Sequence, residues 1–183
     1  SIVGKVLAIV WLLPTLSIAA ECESWLARLV SMEGRVEVLR SGATRWLPTA
    51  IEATYCSGDQ LRVGAQSRAS VELNNDTIVR LDQKSLLVLP EARQDGLSFV
   101  RLLKGALHLI SRVKGALEVR TPFVNAGLEG TEFVVRIRDR DALVAVLEGK
   151  VRVSNDLGSL LVIGGQTASG SRDTAPVLRL DLR

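Results

Sequence analysis

A chain of 183 residues, 47% of them hydrophobic, is long enough to bury one real core and too short for two large domains. Only 4% of the residues are aromatic, so Val, Leu, Ile and Ala must build that core. Lys and Arg number 23 against 20 Asp and Glu with no run of like charges; despite a pI near 9.2, the clustered basic face that nucleic acid demands is missing, and no nucleic-acid partner is expected.

The chain opens on a targeting signal. Lys5 precedes an apolar run from Val6 to Ala20, with small residues at Ser17 and Ala19 in the pattern of a cleavage site. The run is short for a membrane span and suits the core of a signal peptide, so residues 1–20 are expected to be a signal peptide or, if retained, a membrane anchor. Membrane contact is expected only through these residues. Glu21 directly before Cys22 does not suit lipid attachment. In an oxidising compartment, the pair Cys22 and Cys56 predicts one disulfide. Their spacing excludes a CxxC motif, and two cysteines with one histidine make a poor zinc set.

Residues 24–32 could place Leu26, Leu29 and Val30 on a helix face, but the following alternation favours strand from about Ala27. From there the apolar period is two. Val36 and Val38 alternate with Arg35 and Glu37, Val71 and Leu73 with Ser70 and Glu72, Leu107 and Leu109 with Ala106 and His108, Val151 and Val153 with Lys150 and Arg152. Each reads as a strand with one wet face. Turn residues separate them at Ser41-Gly42, Gly58-Asp59, Asn74-Asn75-Asp76, Asp95-Gly96, Asn155-Asp156 and Gly164-Gly165. A unit of Gly followed by aliphatics at the second and fourth positions recurs at Gly34, Gly105, Gly115 and Gly149, without a fixed period. The expectation is an all-β single domain of short strands with Gly-marked corners, β-solenoid-like or sandwich-like, with no helix longer than two turns. Parallel, solenoid-like stacking is favoured, because the corners recur without clean two-residue hairpin signals. The domain spans 24–168, and 169–183 reads as a polar tail or linker.

No catalytic constellation stands out. His108 is the lone histidine, at the polar phase of a strand, and is expected to face solvent. Asn74-Asn75-Asp76 offers oxygens to calcium but reads as a hairpin turn. Glu129 and Glu132 flank Gly130-Thr131 and read as a turn entering a strand rather than an acid–base pair. No phosphate loop, dinucleotide fingerprint or zinc helix occurs. No enzyme activity, cofactor or metal is expected.

The order of these signals resembles the FecR-like family, named for the regulator of iron dicitrate uptake. Gly34-Arg-Val-Glu-Val opens the series, then come Trp46, Gly58-Asp59-Gln-Leu61 and Ser67-Arg-Ala-Ser-Val-Glu-Leu73. Val119-Arg-Thr121-Pro122, Gly130-Thr131-Glu-Phe133, the Glu148-Gly149 corner and Gly165-Gln166 complete it. We read these positions as fold determinants: Gly for corners, Asp59 capping a turn, Trp46 covering a core end, Thr131 bonding a bend. Where the family often has a basic residue before the Gly-Thr pair, this chain has Glu129. The resemblance implies a periplasmic or otherwise extracytoplasmic bacterial protein. Its expected function is a non-enzymatic binding, sensing or scaffold domain of the cell envelope. The alternative is a membrane-anchored signalling regulator that controls a sigma factor; the cytoplasmic helical segment such regulators carry has no room before Val6. The expected partner is another envelope macromolecule, a protein or an anionic polymer. Arginines crowd the polar strand phases at Arg35, Arg101, Arg120, Arg136, Arg138 and Arg152. Arg136 and Arg138, two residues apart, are expected to stand side by side and, with Arg152, to offer a binding face for carboxylates or phosphates.

Overall fold

The computed structural model describes residues 22, 24–90, 99–112, 117–128 and 131–180. The expected signal segment 1–20, the turn at Asp95-Gly96, Gly115, and the pair Glu129 and Gly130 lie outside the described residues. Among the described residues the fold is all-β, with no helix. In chain order the strands are β1 Ala27–Glu33, β2 Val36–Leu39, β3 Leu47–Pro48, β4 Thr54–Tyr55, β5 Gln60–Val63 and β6 Arg68–Leu73. Next come β7 Ile78–Leu81, β8 Leu86–Val88, β9 Phe99–Lys104, β10 Ala106–Ile110, β11 Glu118–Arg120 and β12 Asn125–Leu128. The last are β13 Glu132–Ile137, β14 Asp141–Glu148, β15 Lys150–Asn155, β16 Gly158–Ile163, β17 Thr167–Ser171 and β18 Val177–Arg179.

These strands form two nine-stranded sheets. The first runs β18-β17-β14-β13-β10-β7-β6-β1-β4, and the second β16-β15-β12-β11-β9-β8-β5-β2-β3. One apolar cluster joins their inner faces, with Val36, Leu61, Val100 and Val151 from the second sheet against Leu29, Val71, Leu109, Phe133 and Val144 from the first. The period-two pattern explains this directly: in β14 the inward Ala142, Val144 and Val146 are buried, while Leu147, out of phase, is 55% exposed.

The architecture is sandwich-like. Parallel stacking is confined to β9 with β11; every other ladder among the described residues is antiparallel. The physical reason lies in the turns. The segment Asn74-Asn75-Asp76 closes the β6–β7 hairpin with Asp76 at φ 60, and Asn155 with Gly158 closes β15–β16; each reversal of this kind within one sheet sets its two strands antiparallel.

The glycine corners do something more specific. At Gly34 the chain leaves β1 in the first sheet and enters β2 in the second. At Gly105 it passes from β9 in the second to β10 in the first, and at Gly149 from β14 in the first to β15 in the second. All three glycines hold positive φ, at 73, 81 and 82. Two of them also press on a buried serine. A Cβ on Gly34 would stand 2.3 Å from Ser67 Oγ, and one on Gly105 would stand 2.3 Å from Ser85 Oγ. Each serine ties the corner shut: Arg35 N–H donates to Ser67 Oγ over 2.9 Å, and Ala106 N–H donates to Ser85 Oγ over 3.0 Å.

The C-terminal segment corrects an expectation. Residues 169–180 are folded rather than a free linker: β17 pairs with β14 through Ser171, and β18 pairs with β17. Ser169 is buried, and Asn155 Nδ2 donates to the carbonyls of Ser171 and Thr174 over 2.9 and 2.8 Å. Small polar residues read as a linker by composition, yet Gly170 is the small residue that lets Val124 and Pro176 approach the strand.

Candidate functional site

The expected disulfide is present: Cys22 and Cys56 are bonded with Cα atoms 5.6 Å apart. Beside it lies the most buried charge among the described residues. Asp59 is 1% exposed, and its carboxylate accepts from Cys56 N–H over 2.9 Å, from Ser41 N–H over 2.9 Å and from Arg40 Nη1 over 2.7 Å. Arg40 also donates to the Thr54 carbonyl over 2.8 Å and lies over the Tyr55 ring. Asp59 thus caps its turn, as expected, and holds Gly58, at φ 78, in the left-handed region beside the disulfide. This is a structural clasp with its hydrogen-bonding capacity used internally.

The remaining motif positions divide. Gly165, at φ 86, turns the chain between β16 and β17, and Gln166 Oε1 accepts from Ile163 N–H over 3.0 Å to close that turn. Trp46 does not plug a core end. It lies on the outer face of the second sheet under the Arg62 guanidinium, 4.3 Å from ring centre, and Glu37 holds Arg62 through two bonds of 3.0 and 2.8 Å. Thr131 is buried, but its hydroxyl finds no partner among the described residues; its carbonyl accepts from Ser111 N–H over 3.0 Å.

The arginine face expected from the sequence is not assembled as drawn. Arg138 lies past the end of β13, in the turn to β14, where both oxygens of Asp141 hold its guanidinium. That carboxyl is held below its ordinary pKa, first by the hydrogen bond from Arg138. Arg152 lies on the second sheet, so it cannot share a face with Arg136 on the first. Sequence alternation placed Arg136 and Arg138 in phase, and Arg138 N–H continues the β13–β14 register by donating to the Asp141 carbonyl over 2.8 Å, but the Asp141 carboxylate takes up the Arg138 guanidinium.

A different set of residues comes together on the outer face of the first sheet. The ladders pair Leu107 with Leu81 and with Val135, and Ala69 with Leu81. One position along, Arg136 on β13, Ala106 on β10, Asp82 just past the end of β7 and Arg68 on β6 therefore form a row, with Asp82 N–H donating to the Ala106 carbonyl over 3.0 Å. In the next outward row, Arg80 stands between Ser70 and His108. The result is an open dish of about 280 Å³ floored by the small Ala106 and walled by Arg68, Arg80, Asp82, His108 and Arg136. Arg136 reaches Asp82 at 3.4 Å. Arg68 and Arg80 are exposed and make no ion pair among the described residues. His108 lies on this outer face with its side chain 25% exposed and Nε2 2.7 Å from Glu132 Oε1. Among the described residues no cluster of His, Cys, Asp and Glu is arranged to hold a metal ion.

The FecR protein family model matches residues 59–152, from the buried Asp59 to β15, just over half of the chain. The chain belongs to the FecR family. Two crystal structures of a putative anti-sigma factor from Parabacteroides distasonis, at 2.50 and 1.65 Å resolution, share this fold. Each has a TM-score of 0.58 at 19% identity over 66% of the present chain, which spans only 58% of theirs. At that identity the likeness speaks for the FecR fold alone. No curated protein matches the chain.

Proposed function

We propose that this chain is the extracytoplasmic, non-enzymatic interaction domain of a FecR-type regulatory system, docking with another protein of the bacterial envelope. The match of residues 59–152 to the FecR family carries this reading. The Cys22–Cys56 disulfide supports an oxidising compartment, periplasmic or otherwise extracytoplasmic. The two-sheet frame, with buried serines closing two of its corners, supports a module that presents surfaces rather than one that closes on a substrate. Residues 1–20 would export it, as a cleaved signal or a retained anchor, and N-terminal sequencing of the envelope protein separates the two. The fold likeness to the Parabacteroides distasonis protein favours one second reading, in which the retained anchor couples this domain to a sigma factor. The test is transcriptional. Deleting residues 24–180 from the chromosomal copy should change expression of a confined set of genes. An unaltered transcript profile, under conditions where the protein is made, argues against a regulatory role of either kind.

A further inference from the structure

The outer face of the first sheet carries its arginines in a geometry that suits one kind of ligand. Arg68 and Arg136 stand three strands apart in one row, and neighbouring strands are about 4.8 Å apart, so their Cα atoms are separated by roughly 14 Å. In an extended peptide, side chains four residues apart on one side are separated by roughly 13 Å. Arg80, one row along, reaches the space between them. The dish at their centre is too open to enclose a small molecule, since ligand pockets bury most of what they hold. Its floor is apolar through Ala106, and its acidic member, Asp82, is already engaged by Arg136 at 3.4 Å, a long contact that leaves most of that guanidinium's donors free. Glu33, across the β1–β6 ladder from Arg68, makes no ion pair with it among the described residues.

We infer that Arg68, Arg80 and Arg136 form a docking site for an extended acidic segment of a partner protein, crossing the strands of the first sheet with carboxylates four residues apart. This rests on the interaction reading above and names the surface and chemistry it uses. Arginine is the fitting residue, because its planar fork meets a carboxylate through two parallel hydrogen bonds, and a row of such forks fixes the register of the incoming chain. Asp82 sets that register: it sits between the end arginines and repels a carboxylate at the middle position of the peptide, which leaves the flanking positions to the arginines.

The site is tested with the disulfide-bonded protein and a labelled synthetic peptide bearing two glutamates four residues apart in a Ser/Gly background. Arg68→Glu with Arg80→Glu should weaken binding about tenfold or more. Arg101→Glu with Arg152→Glu, which changes the net charge equally but on the second sheet, should alter it by less than about twofold. Amide shifts in the unaltered protein should move on β6, β7, β10 and β13. Equal losses for the two double variants would reduce the effect to net charge and overturn the site, as would shifts confined to the second sheet. Displacement of the peptide by an equal concentration of inorganic phosphate would assign the dish to a small anion instead. Should the first double variant fold poorly, Arg80→Gln with the same shift map decides. If the peptide does not bind, the site is refuted, while the transcriptional effect of deleting the domain judges the broader function independently.

Discussion

Asp59 shows how much one side chain can hold. Its carboxylate is withdrawn from water and meets two backbone N–H groups and one guanidinium, so removing it takes the acceptor from three part-buried donors. Asp59→Ala is expected to cost about 3–5 kcal/mol in urea unfolding, because Arg40 would keep its charge beside Tyr55 with no counterpart. In β14 the same logic separates neighbours: Val144→Ala should cost about 2–4 kcal/mol and Leu147→Ala less than about 0.5, since Val144 is fully buried and Leu147 half exposed. Equal losses would mean that the strand's phase is wrong. Tyr55, fully buried, has its pKa pushed above its ordinary value near 10, mainly by burial. Because the folded pKa is raised, its contribution is complete below about pH 10 and is lost as pH rises through the folded value; unfolding midpoints should therefore fall above pH 10, and Tyr55→Phe should flatten that fall.

At the scale of the element, the crossing from one sheet to the other is the decisive event. A strand that stayed in its sheet would end in a hairpin; β9 instead hands the chain to β10 through the single residue Gly105. Positive φ costs an L-residue about 1–2 kcal/mol, and a Cβ there would also meet Ser85 Cα at 2.5 Å, so Gly105→Ala should destabilise by more than that figure in thermal unfolding. Ser85→Ala tests the other half of the corner. It removes the hydroxyl that accepts from Ala106 N–H and donates to Ala106 O, and should cost about 1–3 kcal/mol. Full stability in both variants would show that the corner is set elsewhere.

For the whole molecule, the disulfide binds the start of the described chain to the turn before β5, in a fold whose strands pair far apart in sequence. With partners separated by 34 positions, loop closure contributes about 3–4 kcal/mol in the chain-entropy account. Reduction with dithiothreitol should lower the melting temperature, and Cys22→Ser with Cys56→Ser should match the reduced protein. An unchanged melting temperature on full reduction would show that the two sheets hold together without it.

The sequence by itself determined the class of fold. Alternation needs only local chemistry, so β2, β6, β10 and β15 are legible from Val36, Val71, Leu107 and Val151, and the corners from Gly34, Gly105 and Gly149. It also determined the disulfide, because the chain holds two cysteines and one way to join them. Only the tertiary structure decided which strands are neighbours, and hence which arginines meet. Arg136 and Arg138 share a phase in the sequence, but Asp141 takes up the Arg138 guanidinium; Arg68, Arg80 and Arg136 come from different strands and meet on one surface because β6, β7, β10 and β13 are consecutive in the first sheet. Ser85 was silent for the same reason, since a serine reads as loop until the glycine it closes upon is known. Periodicity is a property of a single strand, whereas a site made from a row across strands depends on ladder register, which is set by long-range packing of both sheets.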